Sequence, residues 1–116
     1  MPSVVVSTIV LITMSKLAVD EYVVDVLMPD LVGHDRRPAA FIVFLFLLRH
    51  ATPARKDRVS VSLQTIATKT GLSKSAVQAA LRLLRRRRLL DPDVIATVTN
   101  PVRAVRRPWL APRGSG

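Results

Sequence analysis

The spacing of apolar residues changes along the chain and predicts a mainly α-helical protein with short extended segments. Val4–Thr13 is rich in Val, Ile and Thr, which favours a strand. A stripe with helical spacing follows, formed by Val19, Val23, Val26 and Leu27. This stripe predicts an amphipathic helix that Pro29 ends or kinks, followed by a short turn that Gly33 stops.

A second helix is predicted for Ala39–His50, because Pro38 stands where a helix-starting proline would. Within it, Phe41–Leu48 is apolar without interruption. A helix that is apolar on every side is covered on more than one side, by the rest of the domain or by a second subunit. For a chain of 116 residues we favour the subunit contact.

The stretch from residue 59 to residue 84 predicts a strand, a helix, a tight turn and another helix. Val59–Val61 alternates as a short strand does. Ser62 and Ser73 stand at the N-cap positions of the two helices. Gly71 lies between them and readily adopts the left-handed conformation that ends a helix. The buried stripe predicted for the second of these helices consists of Val77, Ala80, Leu81 and Leu84.

The region beyond this second helix predicts a β-hairpin. Asp91–Asp93 gives a turn signal. Val94–Val98 and Val102–Arg107 then read as two strands around the turn residues 99–101. Arg103 and Arg106 would give this hairpin cationic side chains.

The net charge of +10 is concentrated in the second half of the chain. Residues 1–50 contain four Lys and Arg against five Asp and Glu, whereas residues 51–116 contain fourteen against three. This distribution is typical of a protein that binds a polyanion, either nucleic acid or an anionic membrane surface. A basic face that is only solvated is the alternative to both.

The composition argues against several other classes of protein. With no cysteine and two histidines, we expect no disulfide, no metal site and no cofactor. Because no nucleophile motif, phosphate-binding glycine loop or pair of carboxylates stands out, we predict no catalytic residues and no enzyme activity. The apolar stretches 4–14 and 39–48 are about half as long as the roughly twenty residues of a membrane span, which predicts a cytoplasmic protein with no membrane partner.

The segment from residue 63 onward resembles the helix-turn-helix proteins, specifically the winged bacterial transcriptional regulators such as the MarR-like and GntR-like groups. The residues at the family's spacing are Ile66, Ala67, Gly71, Leu72, Val77 and Ala80. The resemblance covers residues 38–109 and implies a winged helix-turn-helix that binds double-stranded DNA, with the helix at 73–88 in the major groove and the hairpin at 94–107 as the wing. One position departs from the pattern. Arg88 stands where such proteins often have glycine, and a left-handed arginine costs about 1–2 kcal/mol, so we expect the helix to end differently.

The resemblance and the charge together give ten candidate DNA-binding residues. They are Ser73, Lys74, Ser75, Gln78, Ala79, Arg82, Arg85, Arg86, Arg103 and Arg106. Gln78 would contact adenine, Arg82 guanine and Ala79 the methyl group of thymine. We expect about six to eight cationic contacts to phosphates from this helix and the wing. Phosphates would also relieve the repulsion within the run Arg85–Arg88.

We predict one domain at residues 14–109, with an extended segment at 1–13 and a flexible tail at 110–116. The segment 1–13 lies outside the domain or takes part in a dimer contact, and we expect a homodimer built from the N-terminal half. Trp109 is expected to anchor the end of the domain on the core. Two alternatives to a transcriptional regulator stay open: the DNA-binding module of a plasmid or phage replication protein, and a winged-helix domain that binds protein.

Overall fold

The computed structural model describes residues 16–51 and 58–110. The predicted strand at 4–13 therefore lies outside the described residues, as do the predicted extension 1–13 and the tail beyond Leu110. Within the described parts of the chain, no helix combines the length and the apolar character that a bilayer crossing requires.

The N-terminal segment folds as two consecutive π-helical stretches, Val23–Leu27 and Pro29–His34. Pro29 is the first residue of the second stretch, where its missing N–H removes no hydrogen bond. The buried side chains lie four residues apart and are Val23, Leu27 and Leu31. Val26 is 40% exposed, so its place in the predicted stripe was wrong. A π-helix bonds residue i to residue i+5, and its wider turn carries Val26 away from the core.

Gly33 does not stop this segment, contrary to the sequence prediction. It lies inside the second stretch, which continues to His34. The chain turns at Arg36 instead, whose φ of 54° is left-handed. The N–H of Arg37 then donates to the carbonyl oxygen of Leu31 at 2.8 Å. This hydrogen bond offsets part of the roughly 1–2 kcal/mol that a left-handed arginine costs.

Helix α1, Pro38–Ala51, is the centre of the fold. It packs against the π-helical segment before it and against the strand and helices that follow it. Its buried residues are Ala40, Val43, Phe44, Leu47, Leu48 and Ala51. Ile42 keeps 40% of its surface exposed. Other elements of the same chain therefore bury most of the apolar surface of α1, for which the sequence favoured a contact with a second subunit.

Helix α2, Leu63–Thr70, and helix α3, Lys74–Arg86, follow each other across a short turn. The hydroxyl groups of Ser62 and Ser73 each accept a hydrogen bond of 3.1 Å from the backbone N–H three residues later. Gly71 ends α2 with a φ of 80°. The predicted N-caps and the predicted glycine turn are thus confirmed, because each serine hydroxyl accepts a hydrogen bond from a free N–H at a helix start and Gly71 adopts the left-handed conformation that ends a helix.

Helix α3 ends in the way that a glycine usually allows, although no glycine is present. Arg88 adopts a φ of 57°. The N–H of Leu89 donates to the carbonyl of Leu84 at 2.9 Å, and the N–H of Arg88 donates to that of Arg85 at 3.1 Å. These two bonds form a Schellman motif. The expectation that the helix ends differently was therefore wrong, and Arg88 bears the left-handed strain of about 1–2 kcal/mol.

Strand β1, Arg58–Ser60, pairs antiparallel with strand β2, Val102–Ala104. Directly after β2, Val105 forms an antiparallel bridge with Leu90. The predicted hairpin partner of β2, residues 94–98, contains no strand, so that pairing was wrong. Strand β2 instead pairs with β1, which precedes helices α2 and α3, and local spacing could not indicate a partner so far away in the sequence.

Residues 92–101 form a loop between the Leu90 bridge and β2, and we call it the wing loop. At its start the N–H of Asp93 donates to the carboxylate of Asp91 at 2.9 Å, which agrees with the turn predicted there. The predicted fold class, mainly helical with a small β wing, is confirmed.

Trp109 closes the domain against the N-terminal segment, as predicted. Its indole Nε1 donates to the carboxylate of Asp20 at 2.6 Å. Its ring stacks on Tyr22 with centroids 5.2 Å apart and meets Phe44 edge-on at 6.2 Å. The two ends of the described chain are therefore held together by an aromatic cluster.

Candidate nucleic-acid interface

Helix α3 has one buried face and one exposed face. Its buried residues include the whole predicted stripe, and they are Val77, Ala80, Leu81, Leu83 and Leu84. On the opposite side, Gln78 and Arg82 are exposed and lie one helical turn apart. Ala79 between them is half-buried. The core therefore fixes α3 with its amide and guanidinium side chains directed to the surface.

The first turn of α3 presents the predicted Ser73, Lys74 and Ser75, all of which are exposed. The Ser73 hydroxyl caps the helix and lies 3.2 Å from the hydroxyl of Ser75. The helix N-terminus and Lys74 add positive potential here, which favours an anion.

A cleft of about 610 Å³ separates α3 from the wing loop. Five of the ten predicted residues line it: Lys74, Gln78, Arg82, Arg85 and Arg103. Ala96, Thr97 and Val98 line it from the wing loop. Arg86 lies next to it, in a smaller depression that Arg82 and Arg85 share. The structure therefore collects most of the predicted cations around one groove.

Arg103 is half-buried in the cleft and is partly engaged by the protein. Its Nη1 atom donates to the carbonyl oxygen of Val61 and, at 3.4 Å, to that of Pro101. Burial lowers the pKa of the Arg103 guanidinium, and the positive charge of Arg85 lowers this pKa further. Arg85 and Arg103 line the same cleft, and two like charges there favour an anion beside them.

Arg85 is the other half-buried cation of the cleft. Its Nε atom is buried and has no hydrogen-bond partner within the described residues. The aliphatic part of its side chain is packed while its charge stays at the cleft, as is common for arginine.

Arg106 is not brought to this groove. It is exposed and lines a separate depression with Asp91, Arg107 and Leu110. No residue of α3 lines that depression. Because the strand ends at Ala104, Arg103 and Arg106 lie at different depressions and do not form one cationic surface, whereas their contacts with phosphate stay predictions.

The ion pairs of Arg87 were not predicted from the sequence, where phosphates were expected to relieve the repulsion within the whole run Arg85–Arg88. The Arg87 guanidinium is paired with Asp30 through Nη2 and with Asp35 through Nη1, the latter at 2.8 Å. The acidic partners are more than fifty residues away in the sequence, so no local spacing could indicate them. Part of the repulsion in the arginine run is thus relieved by the protein itself.

The same contact bears on metal binding. Asp30, His34 and Asp35 offer ligand atoms that lie within 4.8 Å of one another. Both carboxylates already hold the guanidinium of Arg87. The cluster is therefore explained as an ion-pair network around an arginine.

Comparison with known families gives a match over residues 37–90 to the family described as a helix-turn-helix domain. The match supports a helix-turn-helix domain in this part of the chain. The matched segment includes α1, β1, α2 and α3, and it ends at the residue that bridges to Val105. No curated protein and no solved structure gives a significant match to the chain. The match to a helix-turn-helix domain supports DNA binding.

Proposed function

We propose that this protein is a cytoplasmic, sequence-specific regulator of transcription that binds double-stranded DNA through α3 and the cleft beside it. The observation that carries the proposal is the position of Gln78 and Arg82. Both are exposed on the second helix of a helix-turn-helix domain, and both face a groove lined with cations. The resemblance to the MarR-like and GntR-like regulators supports the regulatory part of the proposal.

Base reading belongs to α3, because the major groove of B-DNA admits an α-helix. Gln78 would form a bidentate contact with adenine and Arg82 with guanine. Ala79 would contribute little to base reading because it is half-buried. Because Gln78 and Arg82 lie one helical turn apart on the same face of α3, they would contact neighbouring base pairs.

Phosphate contacts belong to the cleft. One strand of the duplex would lie between α3 and the wing loop, where Lys74, Arg85 and Arg103 would surround its phosphates, with Arg86 next to them. These four cations would replace the six to eight expected from sequence, because Arg82 is used for the base contact. Four phosphate contacts correspond to a slope of log affinity against log salt of about −3.6 for each bound subunit.

The proposal includes a two-fold dimer formed through the N-terminal half, and therefore a pseudo-palindromic site. Support for it comes from apolar side chains left exposed there, which are Leu17, Tyr22, Val24, Val26, Val32 and Ile42. Sedimentation at micromolar concentration is expected to give the mass of a dimer, and a monomer would contradict this part.

Selection from a pool of random duplexes by gel shift tests the function itself. We expect enrichment of one motif that contains adjacent A·T and G·C pairs. Recovery of duplexes with no common motif would contradict sequence-specific binding, and recovery of none would contradict DNA binding. A Gln78→Ala, Arg82→Ala double variant is the matched control, since it should lose the enrichment and keep the fold.

A further inference from the structure

The tip of the wing loop has no cation with which to bind phosphate. Residues 92–101 contain no Lys, Arg or His, and their one charged residue is Asp93. The sequence predicted cationic arginines on the wing, but Arg103 and Arg106 lie after this loop. Any contact that the tip makes with DNA must therefore rest on neutral groups.

Hydrogen bonds hold the tip in one turn. The N–H of Thr97 donates to the carbonyl of Asn100 at 3.0 Å, and the N–H of Asn100 donates to the hydroxyl of Thr97 at 3.0 Å. The same Asn100 carbonyl also accepts from the N–H of Val102 at 2.9 Å. Val98 and Thr99 form the apex of this turn, and Val98 is 99% exposed.

An exposed valine alone needs no explanation, since apolar side chains are common on protein surfaces. The position of Val98 is what matters. It lines the cleft whose opposite wall carries Gln78 and Arg82. The apex of the wing loop and the outer face of α3 thus belong to one continuous surface.

The cleft determines which groove of the duplex the tip meets. A DNA strand that lies in the cleft has the major groove on one side and the minor groove on the other. With α3 in the major groove, the wing loop across the cleft lies on the minor-groove side. The minor-groove edge of G·C carries the amino group of guanine, whereas that of A·T does not.

We propose that Val98 enters the minor groove and makes the wing loop select A·T over G·C pairs beneath it. A valine methyl group fits against the amino-free floor of an A·T pair, but it would desolvate the guanine amino group without offering an acceptor. Because no charge is involved, this selection adds nothing to the salt dependence of binding. The inference rests on the proposed function and assigns a second, uncharged determinant of specificity to it.

Inosine separates minor-groove reading from major-groove reading of the same pair, and the variant Val98→Ala separates a contact by Val98 from an effect of duplex shape. Inosine lacks the minor-groove amino group of guanine and keeps its major-groove atoms. Starting from the selected site, each flanking pair is changed to A·T, G·C or I·C and the affinity is measured. At one or two positions beside the α3 contacts, we expect G·C to weaken binding about fivefold to tenfold and I·C to bind like A·T.

The variant Val98→Ala is expected to reduce the G·C penalty at those positions to less than twofold and to leave the salt slope unchanged. Because Val98 is fully exposed, the substitution should not alter the melting temperature. Ile95→Ala is the matched control: Ile95 is 58% exposed on the same loop but does not line the cleft. It should leave the penalty at its wild-type value.

The inference is overturned if I·C binds as weakly as G·C, if Val98→Ala keeps the full penalty, or if Ile95→Ala removes it equally. A Val98→Ala variant that changes the sedimented mass and not the base preference would assign the tip to a protein contact and overturn it too. In all these cases binding through α3 still stands. A wild-type protein that binds no duplex contradicts both the inference and the proposed function.

Discussion

Arg86 and Arg87 are neighbours in the sequence and have opposite surroundings in the fold. Arg86 is exposed next to the cleft, beside Arg82 and Arg85. Arg87 points to the other side of the helix end and is paired with Asp30 and Asp35. Arg86 therefore belongs to the outer face of α3, whereas Arg87 belongs to the contact between α3 and the π-helical segment.

The difference between Arg86 and Arg87 shows why the number of Lys and Arg residues in the basic half is larger than the number available to bind DNA. The N-terminal half of the chain is slightly acidic. Two of its acidic residues, Asp30 and Asp35, neutralise Arg87 of the basic half within the molecule. The Asp30 and Asp35 contact also fixes the end of α3 against the π-helical segment. The charge of Arg87 thus orients the helix, whereas the charge of Arg86 is left for a ligand.

The largest effect is expected on the outer face. Arg82→Ala should lower the free energy of binding to the preferred site by about 1–3 kcal/mol and relax base preference at one position, since a bidentate base contact is lost. Titration against the selected site and its single-base variants measures both. Arg37→Ala removes the same charge from an exposed position outside α3 and should leave base preference intact. Unchanged preference in Arg82→Ala would remove α3 from the role of reader.

The ion-paired region should respond in stability. Arg87→Ala leaves Asp30 and Asp35 without their cation, and their side chains are 32% and 13% exposed, so solvent replaces it only in part. We expect a loss of about 1–2 kcal/mol in the free energy of unfolding. Arg86→Ala is the control and should change this free energy by less than about 0.5 kcal/mol. Equal stability of the two variants in urea titration would contradict the division between the regions.

A smaller effect is expected at the residue after this pair. Arg88→Gly and Arg88→Ala remove the same charge, but only glycine relieves the left-handed backbone. The glycine variant should be more stable than the alanine variant by about 1 kcal/mol. Identical melting temperatures would mean that the end of α3 carries no such strain.

Local chemistry was predictable from the sequence, and long-range pairing was not. The caps Ser62 and Ser73 and the turn at Gly71 follow from what each residue type can do alone. The partner of β2 and the partners of Arg87 lie far away in the sequence, and no local spacing encodes them. For the candidate site, the outer face of α3 followed from helical periodicity. The hairpin predicted for the wing was wrong, because residues 94–98 form a loop and the partner of β2 is β1.

The separation between a cation that binds DNA and a cation used within the fold is tested by the salt dependence of binding to the selected duplex. It is measured for the wild-type protein and for the variants Arg86→Ala and Arg87→Ala. The wild-type slope should be about −3.6 per subunit, and Arg86→Ala should reduce its magnitude by about 0.9 because one phosphate contact is lost. Arg87→Ala should keep the wild-type slope, because the charge of Arg87 is used within the fold. A wild-type affinity that does not change with salt, or an equal reduction in both variants, would contradict the account.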